Sequence, residues 1–198
     1  MAFTFFFRDI HVLENIIEKF IPYVTGRSSI KVWDAGCAMG QEPYTLTILL
    51  AEAMSKYSYN NLKVTASDYD APFEKVIKEA VYSYTELERI PEDIFAKYFH
   101  KTGNDNSYVV DDVIKNKVEF ILHDLLSLKS VGNDFSLVLC KNVLLHLDYN
   151  ERIEVMKMFH SSLAADGLFA TEQTQKLPPE VSHLFEQIVP DAQIFRKI

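Results

Sequence analysis

Short apolar runs that alternate with amphipathic segments place the strongest constraint on the fold of this chain. The strand-like runs cover residues 30–33, 62–67, 118–122, 135–140 and 168–171. Segments whose apolar residues recur at helical spacing lie between most of these runs. The resulting order strand, helix, strand, helix is typical of a parallel sheet with crossover helices. The sequence therefore predicts an α/β fold with a doubly wound, mostly parallel sheet.

Apolar periodicity also gives the helices. Apolar residues recur at helical spacing from Ile10 to Val24 after Asp9, a candidate N-cap. A helix that begins near Pro43 is apolar on nearly every face, so we expect it to be buried against the sheet. Further helices are predicted over 73–82 and 152–163, and the second of these leads to a turn at residues 166–167.

The simple alternation breaks between the second and third strands of the sheet. Residues 86–99 have a helical pattern, residues 102–105 a turn pattern, and residues 107–110 the pattern of a short antiparallel strand. We therefore predict one domain over 1–198 with a small antiparallel β-subdomain inserted at 84–117. Near the end of the chain, prolines 178 and 179 precede a predicted short helix and an edge strand at 192–196.

Composition limits the classes of function. The chain has 198 residues, of which 48% are apolar and 24% are charged, and this composition supports one globular domain with a real core. A net charge of −8 argues against nonspecific binding to nucleic acid or to an anionic membrane. No apolar run approaches the roughly 20 residues of a membrane-spanning helix, and residues 1–7 lack the pattern of a signal peptide.

Two cysteines and six histidines offer little for disulfide or metal chemistry. No CxxC pair, HExxH motif or other ligand spacing occurs, so we expect no metal site. The sparse cysteine content makes a reducing cytoplasm the expected location.

The polar residues that follow the predicted strands mark a candidate ligand site. In an open α/β sheet, ligands bind outside the carboxyl ends of the strands, and here those ends lead into 34–40, Asp68, Asp124 and the pair 141–142. Gly36 allows the first turn to approach a ligand closely, and Asp68 is placed to accept hydrogen bonds from ribose hydroxyls. The chain has neither GxGxxG nor a P-loop, which makes pyrophosphate unexpected and favours S-adenosylmethionine as the cofactor.

Four ordered motifs carry a family resemblance. They read TFFFRD at 4–9, WDAGCAMGQEPY at 33–44, ASDYD at 66–70 and CKNVLLHLD at 140–148. In this order they resemble the motifs of the CheR-type chemotaxis receptor methyltransferases, and the likeness extends from Thr4 to Glu172. The resemblance implies a Rossmann-like, S-adenosylmethionine-dependent catalytic domain that esterifies glutamate side chains on the cytoplasmic helices of chemoreceptors.

The resemblance also implies roles at the methionine end of the cofactor. Thr4 and Arg8 would close over this end, and Arg8 would also face the acceptor. Glu42 would hold the cofactor's amino group, and Lys141 and Asn142 would line the floor of the site.

The remaining implied roles concern the nucleoside and the reacting methyl group. Asp68 would bind the ribose, while Asp124 and Leu125 would flank the adenine. His146 stands where the family commonly has an aromatic hydroxyl, which makes it a candidate catalytic residue beside Arg8.

Several of these residues also have structural interpretations. Asp34, Asp68 and Asp124 have the sequence positions of caps, Glu42 that of a first-turn acid, and His146 is compatible with packing alone.

Departures from the family pattern leave the acceptor open. Gln41 stands where the family has a glutamate, and Lys141 keeps the charge of the usual arginine without its planar fork. The chain begins at the first motif, so the helical domain that precedes it in the family is not expected here. Two alternatives therefore remain: a methyltransferase for a small molecule or another acceptor with His146 as general base, and a noncatalytic module that binds the cofactor and signals to a partner.

Overall fold

The computed structural model describes residues 4–103 and 106–198. Residues 1–3, which belong to the opening apolar segment, lie outside the described residues, as do residues 104–105 of the predicted turn.

The main sheet contains seven strands among the described residues. They are β1 (Ile30–Ala35), β2 (Leu62–Asp68), β6 (Val118–Leu122), β7 (Phe135–Cys140), β8 (Leu163–Thr171), β9 (Phe185–Gln187) and β10 (Ile194–Lys197). Their order is β6-β2-β1-β7-β8-β10-β9. The five strands from β6 to β8 run parallel, and β10 and β9 complete the sheet in antiparallel pairing. The predicted doubly wound, mostly parallel α/β fold is confirmed.

Helices cover the sheet and connect its strands. They are α1 (Ile10–Val24), α2 (Gln41–Ala53), α3 (Lys56–Asn60), α4 (Pro72–Glu79), α5 (Tyr84–Leu87), α6 (Glu92–Tyr98), α7 (Asp112–Lys115), α8 (Tyr149–Ser162) and α9 (Pro179–Ser182). The first two have the predicted character: α1 buries one face through Leu13, Ile16, Phe20 and Val24, whereas α2 is buried over most of its length. Beyond the predicted start of its helix at 152, α8 extends back to Tyr149, because Asp148 and Glu151 form a capping box.

The position of β1 decides where the site forms. This strand lies between β2 and β7, with Asp34 opposite Ala66 on one side and Leu139 on the other. Because all three strands are parallel, their carboxyl ends lie at one edge of the sheet.

A second sheet is antiparallel, and two helix predictions were wrong in its neighbourhood. It consists of β3 (Val81–Ser83), β4 (Phe99–Thr102) and β5 (Ser107–Val110), in the order β3-β5-β4. The helix predicted over 73–82 ends at Glu79, because Ala80 takes a left-handed conformation and the chain then enters β3. The helix predicted over 86–99 is split into α5 and α6 at Pro91, which cannot donate the backbone hydrogen bond of a helix interior.

The antiparallel sheet confirms the character of the predicted insertion, although its first strand begins before residue 84. The limits 84–117 stay a prediction.

The carboxyl-terminal region differs from its prediction in two further ways. The predicted turn at 166–167 lies inside β8, where the register shifts and Asp166 has a φ of 59°. The strand predicted at 192–196 forms as β10 but is not the edge, because β9 pairs with it on the outer side. Among the helices of the described ranges, none is long and apolar enough to cross a bilayer.

Candidate functional site

The turn after β1 joins three strand ends at one place. The backbone N–H groups of Gly36 and Cys37 donate to the Ser67 carbonyl oxygen of β2 at 2.8 and 3.0 Å. Gly36 has a φ of +94°, and a Cβ added to it would overlap Cγ2 of Val143, which follows β7. Within the described residues, the group that Gly36 approaches closely is Val143. The close approach to a ligand expected from the sequence stays a prediction.

Asp68 closes the same turn from the end of β2. Its Oδ2 accepts a hydrogen bond from the Ala38 N–H at 2.9 Å, and its Oδ1 accepts one from the Asp70 N–H at 3.3 Å. The Asp68 side chain is half-buried. Asp68 therefore lies at the predicted position, beside the Gly36 turn.

A buried ion pair connects the start of α2 with the end of β7. Lys141 Nζ lies 2.9 Å from Glu42 Oε2 and 3.7 Å from Asp9 Oδ2. The Lys141 side chain is 0% exposed and that of Glu42 only 12%. Burial raises the pKa of Glu42, and the Lys141 ammonium opposes that shift. Glu42, predicted to hold an amino group of the cofactor, thus already has one cation of the chain as its partner.

Asp34 is a fully buried carboxyl at the end of β1. It is 0% exposed, and neither of its oxygens has a hydrogen-bond partner among the described residues. Burial is the main cause that raises the pKa of Asp34 well above its ordinary value; the Glu42 and Asp68 charges raise it further, and the Lys141 charge lowers it.

The amino-terminal segment lies against this edge of the sheet. The Phe7 N–H donates to Thr45 Oγ1 of α2 at 3.1 Å, and Arg8 Nη2 donates to Asn142 Oδ1 at 3.2 Å. Phe6 is fully buried and packs edge-to-face on Tyr82 and on Phe99 of the second sheet. Arg8 is thereby held next to Asn142.

Glu172 organises the turn that carries Asn142. Its Oε2 accepts hydrogen bonds from the Asn142 N–H at 3.0 Å and from the Thr171 hydroxyl at 2.6 Å. Asn142 has a φ of 59°, so this backbone turn depends on such support. Sequence reasoning missed Glu172, although it directly follows β8 and so fits the same pattern of polar residues after strands. It also missed the contacts of Asp9 and Thr45, for which no local sequence signal exists.

Other predicted site residues are less closely connected. Asp124 is exposed and accepts a hydrogen bond from the Leu126 N–H at 2.9 Å, which is the capping role considered above. Leu125 and Thr4 are half-buried, and His146 is exposed at the end of a short 3-10 helix, Leu144–His146. In the described parts of the chain, no hydrogen bond or ion pair joins the side chains of Thr4 or His146 to the Lys141–Glu42 pair. The roles assigned to these four residues, like those of the other predicted site residues, stay predictions.

The chemistry of the buried groups fits a ligand that brings hydrogen-bond donors and positive charge. Besides Asp34, one buried oxygen each of Gln41, at the start of α2, and Glu172, directly after β8, has no partner within the described ranges. Such acceptors are costly to bury unless something pairs with them. An ammonium group and ribose hydroxyls are groups of that kind, and S-adenosylmethionine carries both. In the same ranges, no three metal-ligating side chains lie together.

Fold and site together are those of a nucleoside-binding α/β domain. Its unpaired hydrogen-bond acceptors lie near the carboxyl ends of parallel strands. The chain belongs to the CheR methyltransferase family, because the sequence model described as CheR methyltransferase, SAM binding domain, matches residues 2–194. This match confirms the predicted resemblance, and with it S-adenosylmethionine as the cofactor.

Individual relatives agree with this assignment. The chain is 28% identical over 172 residues to a chemotaxis protein methyltransferase of Borreliella burgdorferi. The aligned region covers 83% of this chain and 60% of the relative. It is 24% identical to chemotaxis protein methyltransferase 2 of Vibrio cholerae, with 92% of this chain and 64% of the relative covered. The chain thus spans less than two thirds of the length of these two relatives.

A solved structure supports the fold. A TehB-like SAM-dependent methyltransferase from Corynebacterium glutamicum superposes with a TM-score of 0.50 at 15% identity, covering 91% of this chain and 84% of that one. At this identity the likeness concerns the fold alone.

Proposed function

We propose that this chain transfers the methyl group of S-adenosylmethionine to a carboxylate side chain of a protein, namely a glutamate on a cytoplasmic helix of a chemoreceptor. The observation that carries this proposal is the position of Arg8. Its guanidinium donates to Asn142 beside the buried Lys141–Glu42 pair, while its side chain remains 26% exposed. Membership of the CheR family supports the same reaction class, and a cytoplasmic location is part of the proposal.

Little acid or base chemistry is needed for this reaction. The cofactor supplies a methyl group that its sulfonium has already activated. A glutamate carboxylate has a reference pKa of about 4.3 and is ionised at neutral pH, so it needs no general base. The chain's task is then to bind, to orient and to exclude water.

Residues of the amino-terminal segment suit those tasks. The planar guanidinium of Arg8 matches a carboxylate and would orient the acceptor. Phe5 lies near Arg8, whose guanidinium carbon is 5.8 Å from its ring centroid, and buried Phe6 fixes the segment to the second sheet. Aromatic walls of this kind favour a reaction in which a cation and an anion neutralise each other.

Binding of the cofactor would involve the groups at the strand ends. In this proposal Asp68 accepts from the ribose hydroxyls and the Gly36 turn lies against the ligand. Thr4 and Glu42 contact its methionine end, and Lys141 and Asn142 form the floor. Asp124 and Leu125 flank the adenine.

Calorimetry with S-adenosylhomocysteine, the demethylated product, tests the cofactor site. We expect binding in the micromolar range, and Asp68→Ala should abolish it, because it removes the acceptor that follows β2. Asp112→Ala, which changes an exposed aspartate on α7, is the matched control and should bind normally. Unchanged affinity in Asp68→Ala would remove the site assignment.

Transfer to a protein carboxylate is tested with labelled S-adenosylmethionine and a receptor cytoplasmic fragment. We expect label in the fragment that alkali releases, since methyl esters are base-labile, and a much lower rate with Arg8→Met than with Arg8→Lys. Label that is stable to alkali and is lost when His146 is replaced would favour the alternative, a methyltransferase for another acceptor with His146 as general base. Full cofactor binding without turnover on the fragment or on lysate proteins would favour a noncatalytic module.

A further inference from the structure

Asp34 is the least compensated charge-bearing group of the site. It lies on the same face of β1 as Ile30 and Val32, both of which belong to the apolar core under that face. Its two oxygens have no partner among the described residues, whereas Lys141 is already engaged by Glu42 and Asp9. Among the described residues, Asp34 therefore has no hydrogen-bond donor and no cation of its own.

An ionised Asp34 would be costly in this environment. A buried carboxylate without a hydrogen bond usually takes up a proton instead of remaining charged. The charged groups that act on Asp34 are Glu42 from α2, Asp68 from β2 and Lys141 after β7, and two of the three are negative. Farther out, Arg8 and Asp9 act on Glu42. The nearby thiols of Cys37 and Cys140 have a raised pKa and contribute no negative charge at neutral pH.

We propose that Asp34 is protonated in the ligand-free protein and releases its proton when the ammonium group of the bound cofactor reaches the end of β1. This inference rests on the proposed cofactor site and adds a positioning residue and a proton linkage to it. The O–H bond of the Asp34 carboxyl breaks, the proton passes to a buffer base, and the carboxylate that remains pairs with the ligand's ammonium. Charge and protons balance without any further reactant.

Proton release makes cofactor affinity depend on pH. Below the pH at which Asp34 ionises in the free protein, the association constant should rise about tenfold per pH unit, because each ligand displaces about one proton. The dependence should flatten at higher pH, once Asp34 is already ionised before the ligand arrives. A ligand that lacks the ammonium group should not show this dependence.

Two ligands separate this proposal from the proposed cofactor site itself. S-adenosylhomocysteine carries the amino-acid group, and 5′-methylthioadenosine carries the same nucleoside thioether without it. Calorimetry at a series of pH values from about 4.5 to 6.5, where an α-amino group is protonated, in two buffers of different ionisation enthalpy gives the number of protons released at each pH. The comparison is made at the pH of greatest release. We expect about one proton for S-adenosylhomocysteine and about none for 5′-methylthioadenosine.

The variant Asp34→Asn assigns the proton to its residue. It keeps the size of the side chain, and we expect S-adenosylhomocysteine to bind it with proton release reduced to about none. Asp166→Asn, the same change in an exposed aspartate of β8, should release as many protons as the wild type.

Each outcome is informative. Binding of S-adenosylhomocysteine without proton release, or equal release with both ligands, would overturn the inference and leave the cofactor site standing. Full proton release in Asp34→Asn would assign the proton to another group and overturn it too. Failure of both ligands to bind would refute the cofactor site and this inference together. The wild-type comparison of the two ligands decides the matter even where the variant does not fold.

Discussion

Substitution of Gly36 by alanine tests whether the turn after β1 is as tightly constrained as its geometry indicates. Two separate costs apply. The backbone has a φ of +94°, which costs an L-residue about 1–2 kcal/mol or more. The new Cβ would also overlap Cγ2 of Val143, and overpacking of this kind costs about 1–3 kcal/mol. We therefore expect Gly36→Ala to lower the free energy of unfolding by about 2–5 kcal/mol.

Gly26→Ala is the matched control for the backbone cost. Gly26 has a φ of +82°, and nothing lies within 4 Å of the position where its Cβ would be. This variant should therefore lose only about 1–2 kcal/mol. In the double variant Gly36→Ala/Val143→Ala the overlap with Cγ2 disappears, while the 3.3 Å contact with Val143 Cβ and the backbone strain remain. The two changes should therefore be strongly non-additive.

Urea denaturation, followed by the fluorescence of the single tryptophan, measures these differences. Trp33 is fully buried on β1, and its Nε1–H donates to Ser67 Oγ at 2.8 Å, so unfolding exposes it. The reasoning would be refuted if Gly36→Ala cost no more than Gly26→Ala, or if removal of the Val143 side chain recovered nothing. Either result would mean that the turn after β1 does not press against Val143.

Substitutions at three further positions probe the buried groups, all by urea denaturation. Lys141→Met leaves the Glu42 carboxylate buried without its cation, so the free energy of unfolding should fall by about 3–5 kcal/mol at about pH 8. The fall should be smaller at about pH 5, where the carboxyl can take up a proton, and a fall independent of pH would contradict this. The pKa of Asp34 is raised on folding, so between the unfolded-state and folded-state pKa values folding takes up a proton. The ligand-free wild type should therefore lose stability as the pH rises from about 4 through the folded-state pKa. Asp34→Asn removes that loss, and its stability relative to the wild type should increase with pH; a constant difference would count against a raised pKa. Phe6→Ala removes a fully buried ring and should lower the free energy of unfolding by about 3–5 kcal/mol, whereas Phe6→Leu should lower it clearly less. Equal losses would show that packing at this ring is not what holds the amino-terminal segment.

Local patterns were sufficient to predict most of the main sheet. Strands β1, β2, β6 and β7 are short apolar runs followed by polar residues, and periodicity together with end residues is a local property of the sequence. The helix errors near residues 80 and 91 arose where one backbone conformation or one proline outweighed apolar spacing.

Strand order and pairing were beyond local patterns. Sequence reasoning gave β10 as an edge strand, whereas β9, a strand of three residues with little pattern of its own, pairs with β10 and forms the edge. Short strands like β9 are stabilised by pairing with a neighbour more than by their own composition.

The amino-acid sequence by itself determined the α/β class, the motifs that identify the family, and the polar residues that follow the central strands. Only the tertiary structure decided which of those residues meet. Lys141 pairs with Glu42 across 99 residues and Arg8 reaches Asn142 across 134, while Asp34 obtains no partner within the described residues. The physical reason is that strand order brings distant segments together and burial then fixes the charge of each group, and neither can be read from a residue's neighbours in the chain.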